Sequence, residues 1–449
     1  MGGALIQILA YGVQDVHLTG NPDISFFKFV YRKHTNFAIG STRQTFVNPP
    51  TSSSSGDTNH FITIKRDGDL LSRLWLEVHF PCPQNLSTSS YTNWCNNTGA
   101  AYVKECEFKI GESSIDRYES LWLDVRNELY DKNKKEHLGL NKHPSLAYRN
   151  SPITDLQLSI HLPFWFNEPG LSLPLIALQY HECQLRLKLR NPLEMIISDV
   201  QHPNMTIGNP NITLWADYVY LDEDERRKFA QNKHEYLIEQ HHSDTQPLDT
   251  SHKLYFNHPV KELIWVFTHT TRTNSININN GIANPSVFNP KLLDSTGGAI
   301  ATNGTETIGG NDYFNYQMTA GAGENTFVPS IDSGSSLYSS RSVEHFDTLT
   351  IELHGVDRVL ERKAYYYRTV QPLQARHRIP DKHIYCYSFA LYPELKEPTG
   401  TCNFSTIHDQ IFKFNSIGGG QANRQINVFS ISYNILVING GQGGYKYAN

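Results

Sequence analysis

The sequence predicts an all-β chain built from two antiparallel sandwiches, and three observations carry that expectation. Apolar residues recur with a period of two along many segments. Aromatic residues are plentiful, with 24 Tyr and 22 Phe. The 449 residues are too many for one ordinary core, so two domains of roughly 200 residues each are expected.

The first apolar run, Ala4 to Ala10, follows Met1-Gly2-Gly3 and has no Lys or Arg before Lys28. A secretory signal needs a basic stretch ahead of its apolar core, and a bilayer span needs roughly 20 apolar residues. Gly2 lacks the Ser or Thr at position 6 that myristoylation favours; Ile6 stands there. The chain is therefore expected to be soluble when made.

Strand signals follow. Leu74–Phe80 places Leu74, Leu76, Val78 and Phe80 on one face, and Cys183–Leu189 alternates just as cleanly. Leu349–Leu353 and Phe429–Ile435 repeat the pattern. Such strands are expected to bury one face and wet the other. Phe61–Ile64 and Leu263–Phe267 read instead as strands buried on both faces. Helices are few. Tyr118–Tyr130 carries an apolar stripe of Leu121, Trp122, Val125 and Leu129. Asp222–Lys228 begins acidic and turns basic, with Glu223–Arg227 and Asp224–Lys228 spaced for i,i+4 pairs. That helix lies near the midpoint, so residues 222–245 are expected to connect the halves.

A faint echo relates the halves. Phe108–Gly111 leads through Asp116-Arg117 into the first helix, and Ile351–Gly355 leads through Asp357-Arg358 into another predicted helical turn. Between them, Thr271–Glu344 is rich in Asn, Gly, Ser and Thr and reads as a protruding loop. Its aromatics, Phe288, Tyr313, Phe314, Tyr316 and Phe327, are expected to fold the loop over itself.

Little chemistry is written in the residues. The formal net charge is −5, which argues against a surface made to neutralise phosphates. Six cysteines include no CxxC pair, so they read as free thiols of a reducing compartment. Among 20 histidines no HxH or HExxH occurs, and His241-His242 would point to opposite faces of a strand. GxSxG and the Walker pattern are absent, and Gly418–Gly420 and Gly440-Gly441 lack a following helix pattern. No catalytic, metal or cofactor site is predicted. Asn-x-Ser/Thr triplets stand at Asn85, Asn96, Asn204, Asn211, Asn303 and Asn403. The first five sit in loop-like sequence and are the candidate glycosylation sites, with Asn303 expected to be the most exposed; Asn403 follows a turn and reads as structural. Without secretory passage, most are expected to stay bare.

Several stretches carry a resemblance from one end of the chain to the other. They include Ala10–Val16, Leu18–Pro22 and Phe26–Phe37, then Gly68-Asp69-Leu70, Pro174–His181, Glu225-Arg226-Arg227 and Asn257–Trp265. The most specific runs from Ile384 through Tyr387–Leu391 to Pro398–Ser405, and the Gly440–Asn449 ending matches as well. With these the chain resembles the major capsid proteins of nucleocytoplasmic large DNA viruses, of chlorovirus and iridovirus type. Thr271–Glu344, Thr51–Ser55 and Ser87–Asn97 match least.

The resemblance implies two consecutive eight-stranded antiparallel jelly rolls with a few short helices. It divides the chain into an arm at 1–25, a first jelly roll at 26–221, a connector at 222–245, and a second jelly roll at 246–449 with an exterior loop at 271–344. Phe26–Tyr31 becomes the first strand, covered on both faces. The implied product is a homotrimeric, pseudo-hexagonal capsomer tiling an icosahedral shell, made and assembled in the host cytoplasm and residing in the virion. Its partners would be neighbouring capsomers, pentons and minor cement proteins; an inner viral membrane beneath the shell is a further candidate, and direct nucleic acid contact is not expected. A glycan-binding or glycan-cleaving sandwich shares the fold signals, but would be a monomer or dimer with an export signal.

Overall fold

A computed structural model describes residues 9, 21–23, 25–29, 31–48, 57–86, 92–95, 97–130, 153–198, 205–269, 313–314, 316, 318–319, 342–380, 382–417 and 424–447. Met1–Phe37 and Ala38–Asn449 form separate compact units. In the first unit, the described residues of 25–36 are turn and irregular backbone. The expected strand at Phe26–Tyr31 is thus corrected. Phe26, Phe27, Phe29 and Tyr31 are all strongly exposed, and a doubly apolar strand has no reason to form without cover on both faces.

The first main strand is β1 (Phe37–Gln44). The first half continues with β2 (Thr58–Thr63), β3 (Leu70–Phe80), β4 (Val103–Ile110), β5 (Ser113–Glu119), β6 (Leu156–His161), β7 (Cys183–Leu189) and β8 (Asn211–Leu221). The second half holds β9 (His234–Pro247), β10 (Ser251–Lys253), β11 (Pro259–His269), β12 (Phe346–Leu353), β13 (Val356–Lys363), β14 (Ile384–Ser388), β15 (Gln410–Ile417) and β16 (Arg424–Asn439). Hydrogen bonding orders the first half as β1-β8-β3-β6 and β2-β7-β4-β5, and the second as β9-β16-β11-β14 and β10-β15-β12-β13. Adding eight to each number in the first half yields the second. This is the jelly-roll order, twice. Short strands extend the paths: Leu173–Pro174 beside β3, Cys402–Asn403 beside β11, and Gln442–Tyr445 beside β16.

Alternation places the cores as expected in most strands. Leu74, Leu76, Val78 and Phe80 of β3 are buried, as are Cys183, Leu185, Leu187 and Leu189 of β7. Phe61 departs from expectation: Ile62 and Ile64 are buried, but Phe61 is exposed under the Arg186 guanidinium, 5.5 Å from its ring centroid. The opposite departure occurs in β16, where the interleaved Ser430, Ser432 and Asn434 are buried as well. Neither face is wet: Phe429 and Ile431 join the core cluster of the first half, while Ser430 and Ser432 lie opposite Leu263 and Val260, on the face that Ile426 and Val428 present to the second sandwich's core. Leu263–Phe267 of β11 is buried throughout, as read: Leu263, Trp265 and Phe267 enter the second sandwich, while Ile264 and Val266 join the core cluster of the first half.

The two expected helices form. α1 (Ser120–Tyr130) buries Trp122, Val125 and Leu129. α2 (Glu223–Gln231) is capped by Asp222, whose carboxylate accepts from Glu223 N at 2.8 Å. Arg227 reaches Glu223 at 3.1 Å, while Arg226 holds Asp69 at 3.0 Å. The connector is therefore shorter than 222–245, because His234–Pro247 pairs along its length with β16. The internal echo holds in space: β4-Gly111-β5-α1 matches β12-Gly355-β13 and the helical segment 364–374, which includes one π turn at Tyr366–Val370. Gly111 and Gly355 both take positive φ, 59° and 77°, as tight strand connections require.

Candidate assembly surfaces

The two sandwiches meet through one asymmetric joint. α1 of the first half lies on the outer face of the second half's β9-β16-β11-β14 sheet. Trp122 packs 5.4 Å from Phe429 and 4.8 Å from His241 by ring centroid. Around it, Ile264, Val266, Ile384, Cys386, Phe429 and Ile431 complete one apolar cluster with the first half.

Buried ions pin this joint. Asp124 of α1 receives Lys382 Nζ at 2.7 and 2.8 Å, with Tyr316 Oη donating at 2.7 Å and Asn97 donating as well. His377 lies between Glu262 at 2.8 Å and Glu394 at 3.0 Å, and Tyr130 donates to Glu262. Burial alone would lower the His377 imidazole, but the two carboxylates outweigh burial and push it up to about 9. His241 contacts Asp116 at 3.2 Å on one side of β9, while His242 stacks towards His258 on the other. The adjacent pair does point to opposite faces. Among the described residues no cluster of His, Cys, Asp and Glu could hold a metal ion.

The long loop contributes where it was expected only to cover itself. Tyr313, Phe314 and Tyr316 are buried in the core, with Tyr313 Oη donating to Glu194 O at 3.2 Å and Arg190 4.3 Å over its ring. Phe288 and Phe327 lie outside the described residues. The chain's last strand also ties the halves. Tyr180 N donates to Gly441 O at 2.9 Å, and Tyr445 Oη donates to Ser114 O at 2.6 Å.

Of the sequons, Asn85 is exposed at positive φ, 58°, and Asn211 is exposed as the first residue of β8 rather than in a loop. Asn96, Asn204 and Asn303 lie outside the described residues. Asn403 caps a short turn by accepting from Ser405 N at 3.1 Å. The six cysteines are all free.

Two jelly rolls in series, joined face to helix, define a double jelly-roll protein of the kind that builds viral shells. Residues 25–222 match the family described as "Major capsid protein N-terminus", and residues 225–444 match "Large eukaryotic DNA virus major capsid protein". The chain belongs to this major capsid protein family. It is 32% identical over 532 residues to the major capsid protein of Phaeocystis pouchetii virus and 33% identical over 483 residues to that of Paramecium bursaria Chlorella virus 1, with 100% of both chains covered in each case. The PBCV-1 capsid model superposes with TM-score 0.71 at 27% identity, over 95% of this chain and 100% of that one. The Faustovirus major capsid protein shares the fold, with TM-score 0.67 at 12% identity, over 97% of this chain and 96% of that one. The chain is thus a structural capsid protein of a large eukaryotic DNA virus, resident in the virion capsid beside neighbouring capsomers, and not an enzyme.

Proposed function

We propose that three copies close into a pseudo-hexagonal capsomer that tiles the outer icosahedral shell. The carrying observation is the repeated strand order of the two halves, joined by a contact whose two sides differ. A head-to-tail contact of this kind generates a ring when its rotation closes, and two similar lobes per chain give six lobes from three chains. Capsomer contacts can each be weak, because many engage at once in a shell.

In this reading residues 1–25 form the arm beneath the capsomer, and the exposed Phe26, Phe27, Phe29 and Tyr31 are covered only on assembly. The first jelly roll ends at Leu221, and the second runs from His234 with the loop 271–344 on the exterior. Pentons, minor cement proteins and an inner membrane are the remaining partners, with assembly in the host cytoplasm. Exposure makes Asn85 and Asn211 the better-supported glycan acceptors; Asn96, Asn204 and Asn303 rest on sequence alone. Sedimentation of the purified chain tests the central point. Three times 51.1 kDa is expected, and a stable monomer at micromolar concentration would sink the reading.

A further inference from the structure

The buried ion pair of the joint has a third member. Asn97 stands just ahead of the helical turn Thr98–Tyr102 at φ 48°, and its side chain does not cap that turn, although Asn is among the residues that cap best. The left-handed backbone accounts for an Asn at this position, since few residues besides Gly tolerate it. It does not account for the direction of the side chain. The carboxamide Nδ2 donates to Asp124 Oδ1. Lys382 Nζ donates to the same oxygen at 2.7 Å and to Oδ2 at 2.8 Å. Amine and carboxamide, one from each half, are thus held on a single carboxylate atom, no more than two hydrogen bonds apart. Tyr316 Oη donates to Oδ2 at 2.7 Å, and Nζ lies 5.6 Å from the Phe314 ring centroid and 5.4 Å from that of Tyr316. Lys382, Asp124, Phe314 and Tyr316 are all buried.

We infer that Lys382 and Asn97 become joined by an amide bond, a covalent staple across the joint, with Asp124 relaying the protons and ammonia leaving. A buried ion pair is costly to hold, and it is neutralised when the ammonium passes one proton to the carboxylate. The faces of Phe314 and Tyr316 favour the ammonium, so the amine is freed only because a carboxylate touches it. Nζ then attacks Asn97 Cγ. The Nζ–Cγ bond forms, the Cγ–Nδ2 bond breaks, and Nδ2 departs with its own two protons and the two that Nζ gives up through Asp124. One ammonium is consumed and one released, so atoms and charge balance without a redox partner. Asp124 ends as a carboxylate, accepting from the new amide N–H and from Tyr316. Holding both reactants on one atom supplies the orientation that a bimolecular aminolysis lacks. Lys261, also deeply buried, shows the contrast. It shares Glu239 with Lys396, so that carboxylate holds a second amine where Asp124 holds a carboxamide, and Lys261 stays free.

The test is peptide mapping by mass spectrometry of the full chain, as purified and again after standing to constant mass. The denatured wild type should resist trypsin at Lys382 and release one branched peptide, lighter by one ammonia than the Asn97 and Lys382 peptides together, while Lys261 is cleaved normally. Lys382→Arg keeps a cation against Asp124 but offers no nucleophile, and Asn97→Ala keeps the pair but offers no acyl group. Both should fold by circular dichroism, lose the branched peptide, and run on a denaturing gel at a mobility unlike that of the stapled wild type. Separate Asn97 and Lys382 peptides from folded wild type would overturn the inference, whether that chain is a trimer or a monomer. A peptide lighter by one water that joins Lys382 to Asp124 would also overturn it, as would a branched peptide that survives in Asn97→Ala.

Discussion

Lys382 and Asp124 are the residues on which the internal joint depends most directly. Both are buried, and removing one partner from a buried pair leaves an uncompensated charge, at about 3–5 kcal/mol. Lys382→Met should lower the thermal midpoint strongly, and adding Asp124→Leu should recover much of the loss; a single variant as stable as wild type would contradict this. His377 makes the same joint pH-dependent. Its folded value of about 9 lies above the free value of 6.5, so its contribution is fully present below pH 6.5 and is lost as pH rises through 9. The loss amounts to about 3 kcal/mol. His161, His242 and His383 act on the other side. Burial holds each at about 4, so the unfolded chain gains protons first as pH falls below 6.5, and folding weakens. A melting series from pH 4 to 10 should therefore peak near neutrality, and His377→Gln should flatten its alkaline limb.

At the scale of elements, the last strand is set by one glycine. Gly441 has φ 82°, and a Cβ there would stand 2.5 Å from the Tyr180 ring. Gly440 has φ 58° but open space around the added atom. Gly440→Ala should lose roughly 1–2 kcal/mol from left-handed strain alone. Gly441→Ala should lose about 1–3 kcal/mol more through crowding, and equal losses in a denaturant titration would refute the contact. Sequence legibility varied by element for physical reasons. Strands with one wet face, such as β3 and β7, declared themselves through alternation, and α1 through its stripe. β16 did not, because Ser430 and Ser432 look like surface residues yet face the second sandwich's core, while the alternating Phe429 and Ile431 turn to the first half. Tyr313, Phe314 and Tyr316 were hidden for a similar reason, since nothing local says that an Asn- and Gly-rich loop returns to the core. The strand expected at Phe26–Tyr31 failed because apolar character reports a need for cover, not the element that meets it. The joint itself was legible only as the Gly and Asp-Arg echo.

At the scale of the whole molecule, the proposed capsomer makes residues 1–25 a device of assembly rather than of folding. Deleting residues 1–25 should leave the sandwiches folded and the trimer intact, yet impair shell formation; normal particles from the truncated chain would refute a role for the arm. Interfaces of permanent assemblies commonly bury about 2,000–5,000 Å², ample for two lobes meeting along their length. The tether through α2 has one more effect. Because a single polypeptide carries both sides of the ionic joint, their encounter is unimolecular, and a defect there shows equally at every dilution. The same defect between chains is masked when copies are crowded and exposed when they are scarce. Faulty chains with a broken ionic seam are thus discarded at folding, before their abundance can rescue them.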